Sequence, residues 1–163
     1  MKSGQHTVEN RRGIDLILQV VLAWARAQPK IWAVALVGSH ARGTARMDSD
    51  IDLVLLARDA DRIRADTTWV TEIDWHAIAT RPQRWRDEEY RAAWSRRICL
   101  EPHYGQVELT FAPLSWATTD PVDDGTRRVI SEGCRILHDP YALLQRIYEA
   151  LSREIDHGDC HPY

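Results

Sequence analysis

Two seven-residue runs, IWAVALV at 31–37 and IDLVLLA at 51–57, limit the fold more than any other part of this chain. Each is almost wholly apolar and too short for an ordinary helix, so each reads as a strand buried on both faces. Such strands belong to a sheet with helices packed on it. The helices are legible. Over residues 7–28, Ile14, Ile17, Leu18, Val21, Leu22 and Ala25 recur at spacings of three and four, and Pro29 closes the pattern. Over 141–155, Leu143, Leu144, Ile147, Leu151 and Ile155 form one stripe. Residues 95–112 read as a hairpin, with VELTFA alternating cleanly after a PHYGQ turn. A helix is expected between Pro121 and Gly133, with CRILHDP following as an edge strand. WVTEIDWHAIA is expected to add a strand, and PQRWRDEEYRAAW an exposed helical turn or two. The expected fold class is α+β (mixed α/β): a mixed central sheet with helices packed on it and a C-terminal helix. Residues 1–156 are expected to form one domain, with 157–163 a flexible tail.

The segment between the two strands, GSHARGTARMDSD, is the part that a core does not explain. Side chains alternate along a strand, so Asp50 and Asp52 share a face. Two carboxylates that close repel and raise each other's pKa unless a positive group lies between them. A divalent cation is the simplest neutraliser, and oxygen ligands favour Mg2+ or Mn2+ over zinc. Read alone, the pair is more often a solvated strand entrance than a metal site. Gly38-Ser39 changes that balance. Glycine lets the backbone approach a ligand closely, Ser39 adds a hydroxyl donor, and Arg42 can fork onto phosphate oxygens. Phosphate and divalent cation together are the chemistry of nucleotide binding.

Gly38-Ser39, ten residues, then Asp50-Ile51-Asp52 resembles the signature of the polymerase-β-type nucleotidyltransferase superfamily. The fuller GSHARGTARMDSDIDLVLL is similar to small stand-alone bacterial nucleotidyltransferases and to aminoglycoside nucleotidyltransferases. The resemblance implies transfer of a nucleoside monophosphate, AMP for preference, from an NTP to a hydroxyl of a small molecule or a protein, with pyrophosphate leaving. It implies two Mg2+ ions, with Mn2+ the alternative. Gly38, Ser39 and Arg42 would hold phosphates, and Asp50 and Asp52 the metal. It also implies a third carboxylate from a neighbouring strand. Glu108 is preferred, because Val107, Leu109 and Phe111 turn the other way and leave Glu108 and Thr110 on the second face. Asp74, in TEIDWHA, is its rival. Relatives of this appearance also act as antitoxins paired with a helical HEPN-type toxin, which is the alternative function. A homodimer or a helical partner would then complete the acceptor site.

The remaining residues bound the reading. A net charge of −3 argues against a duplex nucleic acid partner. No run of eighteen apolar residues calls for a membrane span, and MKSGQHTVENRRG lacks the apolar core of a secretory signal. Cys99, Cys134 and Cys160 are odd in number and widely spaced, which suits reduced thiols in a cytoplasmic protein. Asp48 and His40 read as loop residues, and Trp75 and Trp116 as packing residues. His76, His103, His138, His157 and His161 show no metal-ligand spacing.

Overall fold

The computed structural model describes residues 3–158, and the side chains of 9, 11–155 within them. Six strands form one mixed sheet. They are β1 (Ile31–Val37), β2 (Ile51–Ala57), β3 (Arg81–Glu89), β4 (Trp94–Glu101), β5 (Gly105–Pro113) and β6 (Cys134–His138), in the order β3-β4-β5-β2-β1-β6. All neighbours are antiparallel except β2 and β5, which run parallel at the centre. The helices are α1 (Ser3–Arg26), α2 (Gly38–Arg42), α3 (Ala60–Ala65), α4 (Trp69–Glu72), α5 (Asp124–Glu132) and α6 (Leu143–Gly158).

The alternation of β2 and β5 builds two cores. On one face Leu53, Leu55, Val107, Leu109 and Phe111 pack with Ile17, Leu18, Val21 and Trp24 of α1. On the other, Ala33, Ala35, Val54, Leu56 and Ala112 pack with Ile130 of α5 and Leu144, Ile147 and Leu151 of α6. Ala33 and Ala35 are the contribution of β1 to this second core. Each large apolar side chain buried this way contributes about 1.5–3 kcal/mol. Among the described residues, no helix is long and apolar enough to cross a membrane.

Two expected elements are replaced. WVTEIDWHAIA holds no strand; it forms α4 and a short 3-10 turn, Trp75–Ile78. Its buried residues, Trp69, Val70, Ile73, Trp75 and Ile78, fall at mixed spacings, and a strand would leave half of them in solvent. PQRWRDEEYRAAW holds no helix; most of it is β3, paired along β4 from Arg81 to Glu89. The segment is polar because β3 is an edge strand, exposed for most of its length. An edge accepts Pro82 and charged side chains that an inner strand would not. At the C-terminus, α6 begins at Leu143 and runs to Gly158, past the expected end of the helix. Residues 159–163 of the expected tail lie outside the described residues.

Three of the seven tryptophans gather in one aromatic cluster. Trp24 stacks on Trp69 at 5.1 Å between centroids, and Phe111 meets Trp69 at 5.3 Å and Trp94 at 4.6 Å. Phe111, the only phenylalanine of the chain, is the hub of this cluster. Arg96 is buried against it, 1 % exposed, with its guanidinium 5.1 Å from the Trp69 ring centre and 5.3 Å from that of Trp94. Its Nε and Nη2 donate to the two carboxylate oxygens of Asp87 at 2.7 and 2.8 Å. This fork, drawn from the outer side of β4, fixes β3 to the body.

Candidate active site

Register sets the site. Asp52 of β2 lies opposite Glu108 of β5, Glu108 opposite Arg97 of β4, and Arg97 opposite Arg86 of β3. Four neighbouring strands thus present a row of two acids followed by two arginines. Opposite residues on neighbouring strands point to the same face, so the row shares one face. Asp50 immediately precedes β2 and is half-buried.

On the far side of Asp52 is the turn out of β1. Val37 pairs with Asp52, and Gly38 opens α2 with φ +72°. A β-carbon on Gly38 would stand 2.4 Å from Asp52 Oδ2. Only glycine fits both that backbone conformation and that approach. Ser39 follows, half-buried, its carbonyl accepting from the N–H groups of Gly43 and Thr44. Arg42 ends α2, and its side-chain stem lies against Gly133, where a β-carbon would come within 2.7 Å of Arg42 Cγ. The rest of the loop is braced through Ser49. The Arg46 N–H donates to Ser49 Oγ at 2.7 Å, and His40 Nε2 to the Ser49 carbonyl at 3.4 Å. His40 is therefore a loop residue, as is Asp48, exposed and 3.9 Å from Arg46.

The electrostatics of the pair are unusual. Burial first, then the charges of Glu108 and Asp50 and a hydrogen bond to Glu108, push the Asp52 carboxyl up to about 7, against the opposing pull of Arg97. Glu108 is 8 % exposed. Its Oε2 lies 3.3 Å from Arg97 Nε, an ion contact without an aligned N–H, and its Oε1 accepts from the Tyr90 hydroxyl at 3.0 Å. Arg97 also lies 3.5 Å from Glu88. Asp50, Asp52 and Glu108 offer hard oxygen donors in a crowded, partly desolvated group. That chemistry fits a divalent cation, which would relieve the repulsion that raises Asp52. Among the described residues, no three acidic, imidazole or thiol side chains converge as a ready-made cage. A Mg2+ held by few carboxylates leaves its other positions to water and substrate phosphate.

Asp74 sits elsewhere. It caps the 3-10 turn, accepting the Ala77 N–H at 3.2 Å, and is exposed and off the sheet. Trp75 is core, 3 % exposed, with its indole N–H on the Val70 carbonyl, and Trp116 packs beneath α6. Arg97 and Tyr90 are the residues that sequence reasoning missed. Arg97 had a signal: once the hairpin register is fixed by its PHYG turn, Glu108 pairs with Arg97. Tyr90 had none, since it stands in the β3–β4 connection of a segment that reads as helical.

No curated protein matches the chain. Among solved structures it is similar to one described as the crystal structure of a toxin-antitoxin with AMP-PNP, at 15% identity and a TM-score of 0.41, over 85% of this chain and 87% of that one. That superposition is too loose to transfer anything from one to the other. The family model for streptomycin adenylyltransferase matches residues 12–152, from α1 through most of α6, and so takes in the glycine turn, Asp50 and Asp52 at the start of β2, and the Glu108 strand. The chain belongs to the streptomycin adenylyltransferase family.

Proposed function

We propose that this chain is a divalent-metal-dependent nucleotidyltransferase, moving a nucleoside monophosphate, AMP by preference, from an NTP to a hydroxyl. The observation that carries the reading is the register-locked pair Asp52 and Glu108, set against a Gly38 turn that admits no side chain. Membership of an adenylyltransferase family supports the reaction class.

In this reading Asp50, Asp52 and Glu108 hold Mg2+, and Gly38, Ser39 and Arg42 meet the triphosphate. Bound there, the cation offsets charge that develops on the phosphoryl oxygens. Gly38 brings the backbone close to the triphosphate, and Arg42 neutralises its negative charge. Glu108 takes the proton of the acceptor hydroxyl, and Arg97 fixes the orientation of that carboxylate. The acceptor oxygen attacks the α-phosphorus in line, and pyrophosphate leaves on the opposite side. With the donor turn beside β1, in-line attack places the acceptor over β5 and β4.

Calorimetry tests the core of the proposal. Mg-ATP is expected to bind the parent chain, and the Asp50→Ala/Asp52→Ala double variant to lose that binding. Equal affinity in the two proteins removes the metal role. Pyrophosphate release with streptomycin, the acceptor in the family's name, and with simple alcohols then reads the acceptor class.

A further inference from the structure

One hydroxyl beside the acidic pair has no part in the reaction described above. Tyr90 immediately follows β3, in the short connection to β4, and its N–H is anchored to the Ala93 carbonyl at 2.8 Å. From there the side chain reaches across β4 to β5. The hydroxyl donates to Glu108 Oε1 at 3.0 Å and lies 3.2 Å from Glu88 Oε2. The residue is 48 % exposed, so the ring is open to solvent while its oxygen rests on a buried carboxylate.

The two oxygens of Glu108 are thus divided. Arg97 sits at Oε2, and Tyr90 at Oε1. An acceptor hydroxyl must lie within about 2.6–3.2 Å of the base that takes its proton. Tyr90 meets that distance, and Glu108 is in register with Asp52. Ser95, two residues before Arg97 on β4, is fully buried and cannot reach a substrate. The chain therefore carries an alcohol of its own in the place where an external acceptor would have to bind.

We propose that Tyr90 is a self-modification site: the chain transfers a nucleoside monophosphate from an NTP to the phenolic oxygen of its own Tyr90. The inference rests on the nucleotidyl-transfer reading. In the step, Tyr90 Oη forms a bond to the α-phosphorus. The bond from that phosphorus to the oxygen bridging to the β-phosphorus breaks, and pyrophosphate departs with its electron pair. The phenolic proton passes to Glu108. The product is a tyrosyl phosphodiester, and nothing is oxidised or reduced.

The test uses the full chain with Mg2+ and each of ATP, GTP, CTP and UTP, read by intact mass, by peptide mapping and by calorimetry of nucleotide binding. The expected result is a mass increase of one nucleoside monophosphate, mapped to Tyr90, with a rate per molecule independent of protein concentration. Tyr90→Phe, shown to be folded by its melting curve, gains no label. Glu108→Gln slows labelling by about 10²-fold or more. Mapping on the parent decides the question even if either variant fails to fold. Nucleotide binding without a mass increase, or label on another residue, overturns the tyrosine while leaving the transfer reading intact. Absence of binding by all four nucleotides overturns both.

Discussion

Gly38 lies so close to Asp52 that a β-carbon at position 38 would stand 2.4 Å from the Asp52 carboxylate. The turn that would receive phosphate and the strand that would receive metal are therefore one mechanical unit. Gly38→Ala is expected to cost on the order of 1–2 kcal/mol from the positive φ alone. It also pushes the carboxylate aside, and a displacement near 1 Å lowers transfer by about 10²-fold. Urea melts and pyrophosphate release measured together check this. Unchanged activity in a folded variant would show that the close approach has no functional role.

The raised carboxyl of Asp52 makes stability depend on pH. Its folded pKa of about 7 stands above the ordinary 3.8, so the folded chain binds the proton more tightly than the unfolded chain. This contribution is present at low pH and is lost as pH rises from about 4 through about 7. Solvent screening limits the loss to the order of 1–2 kcal/mol. Without divalent cations, Asp52→Asn is expected to melt higher than the parent at pH 8, with the gap closing towards pH 5. Added Mg2+ should raise the parent's melting temperature more at pH 8 than at pH 5.5, since cation and proton compete for Asp52. A gap that widens on acidification contradicts the account.

Glu108 and Asp74 are separated by a direct comparison. Glu108→Gln is expected to keep Mg-NTP binding within about an order of magnitude while transfer falls by about 10²-fold or more. Asp74→Asn keeps a capping side chain at the head of the 3-10 turn and should leave both almost unchanged. Loss of transfer in the Asp74 variant, with Glu108→Gln active, would reverse the assignment.

The Arg96–Asp87 fork predicts an asymmetry. Asp87→Ala strands a guanidinium that is 1 % exposed, and is expected to cost on the order of 3 kcal/mol in denaturant melts. Arg96→Met removes the buried charge along with its partner's role, fills similar volume beside Trp69 and Trp94, and should cost less. The opposite order would mean that the stacking on the two indoles, and not the ion pair, holds β3.

Much of this was legible in the residues. The strands 31–37 and 51–57 emerge at their expected bounds, because a doubly buried strand leaves a continuous apolar run. The hairpin, the edge strand at Cys134 and the Gly133 stop of α5 follow from equally local signals. The central β2–β5 register that sets Glu108 beside Asp52 agrees with alternation in VELTFA. What failed has a common cause. β3 is an edge strand whose polar residues take partners from β4 and α3, such as Asp87 with Arg96 and Glu89 with Arg64, and no single-strand pattern reports a partner. The α4 segment is shaped by the Trp69–Phe111 contact, which depends on a strand forty residues later. Arg97 and Tyr90 belong to the same class of residue, visible only once neighbouring strands are in place.

The parallel pairing of β2 with β5 also divides the site between two distant parts of the chain. β1 and β2 can close on each other as one local unit, and β3, β4 and β5 as a second, since both use antiparallel neighbours close in sequence. The acids meet only when these two units dock along a seam of high sequence separation, the slow kind of contact. A chain halted before that docking would have most of its strands and two half-sites, a glycine turn with Asp52 on one and Glu108 with Arg97 and Tyr90 on the other. The site thus depends on the join between the two units, and neither unit alone carries both Asp52 and Glu108.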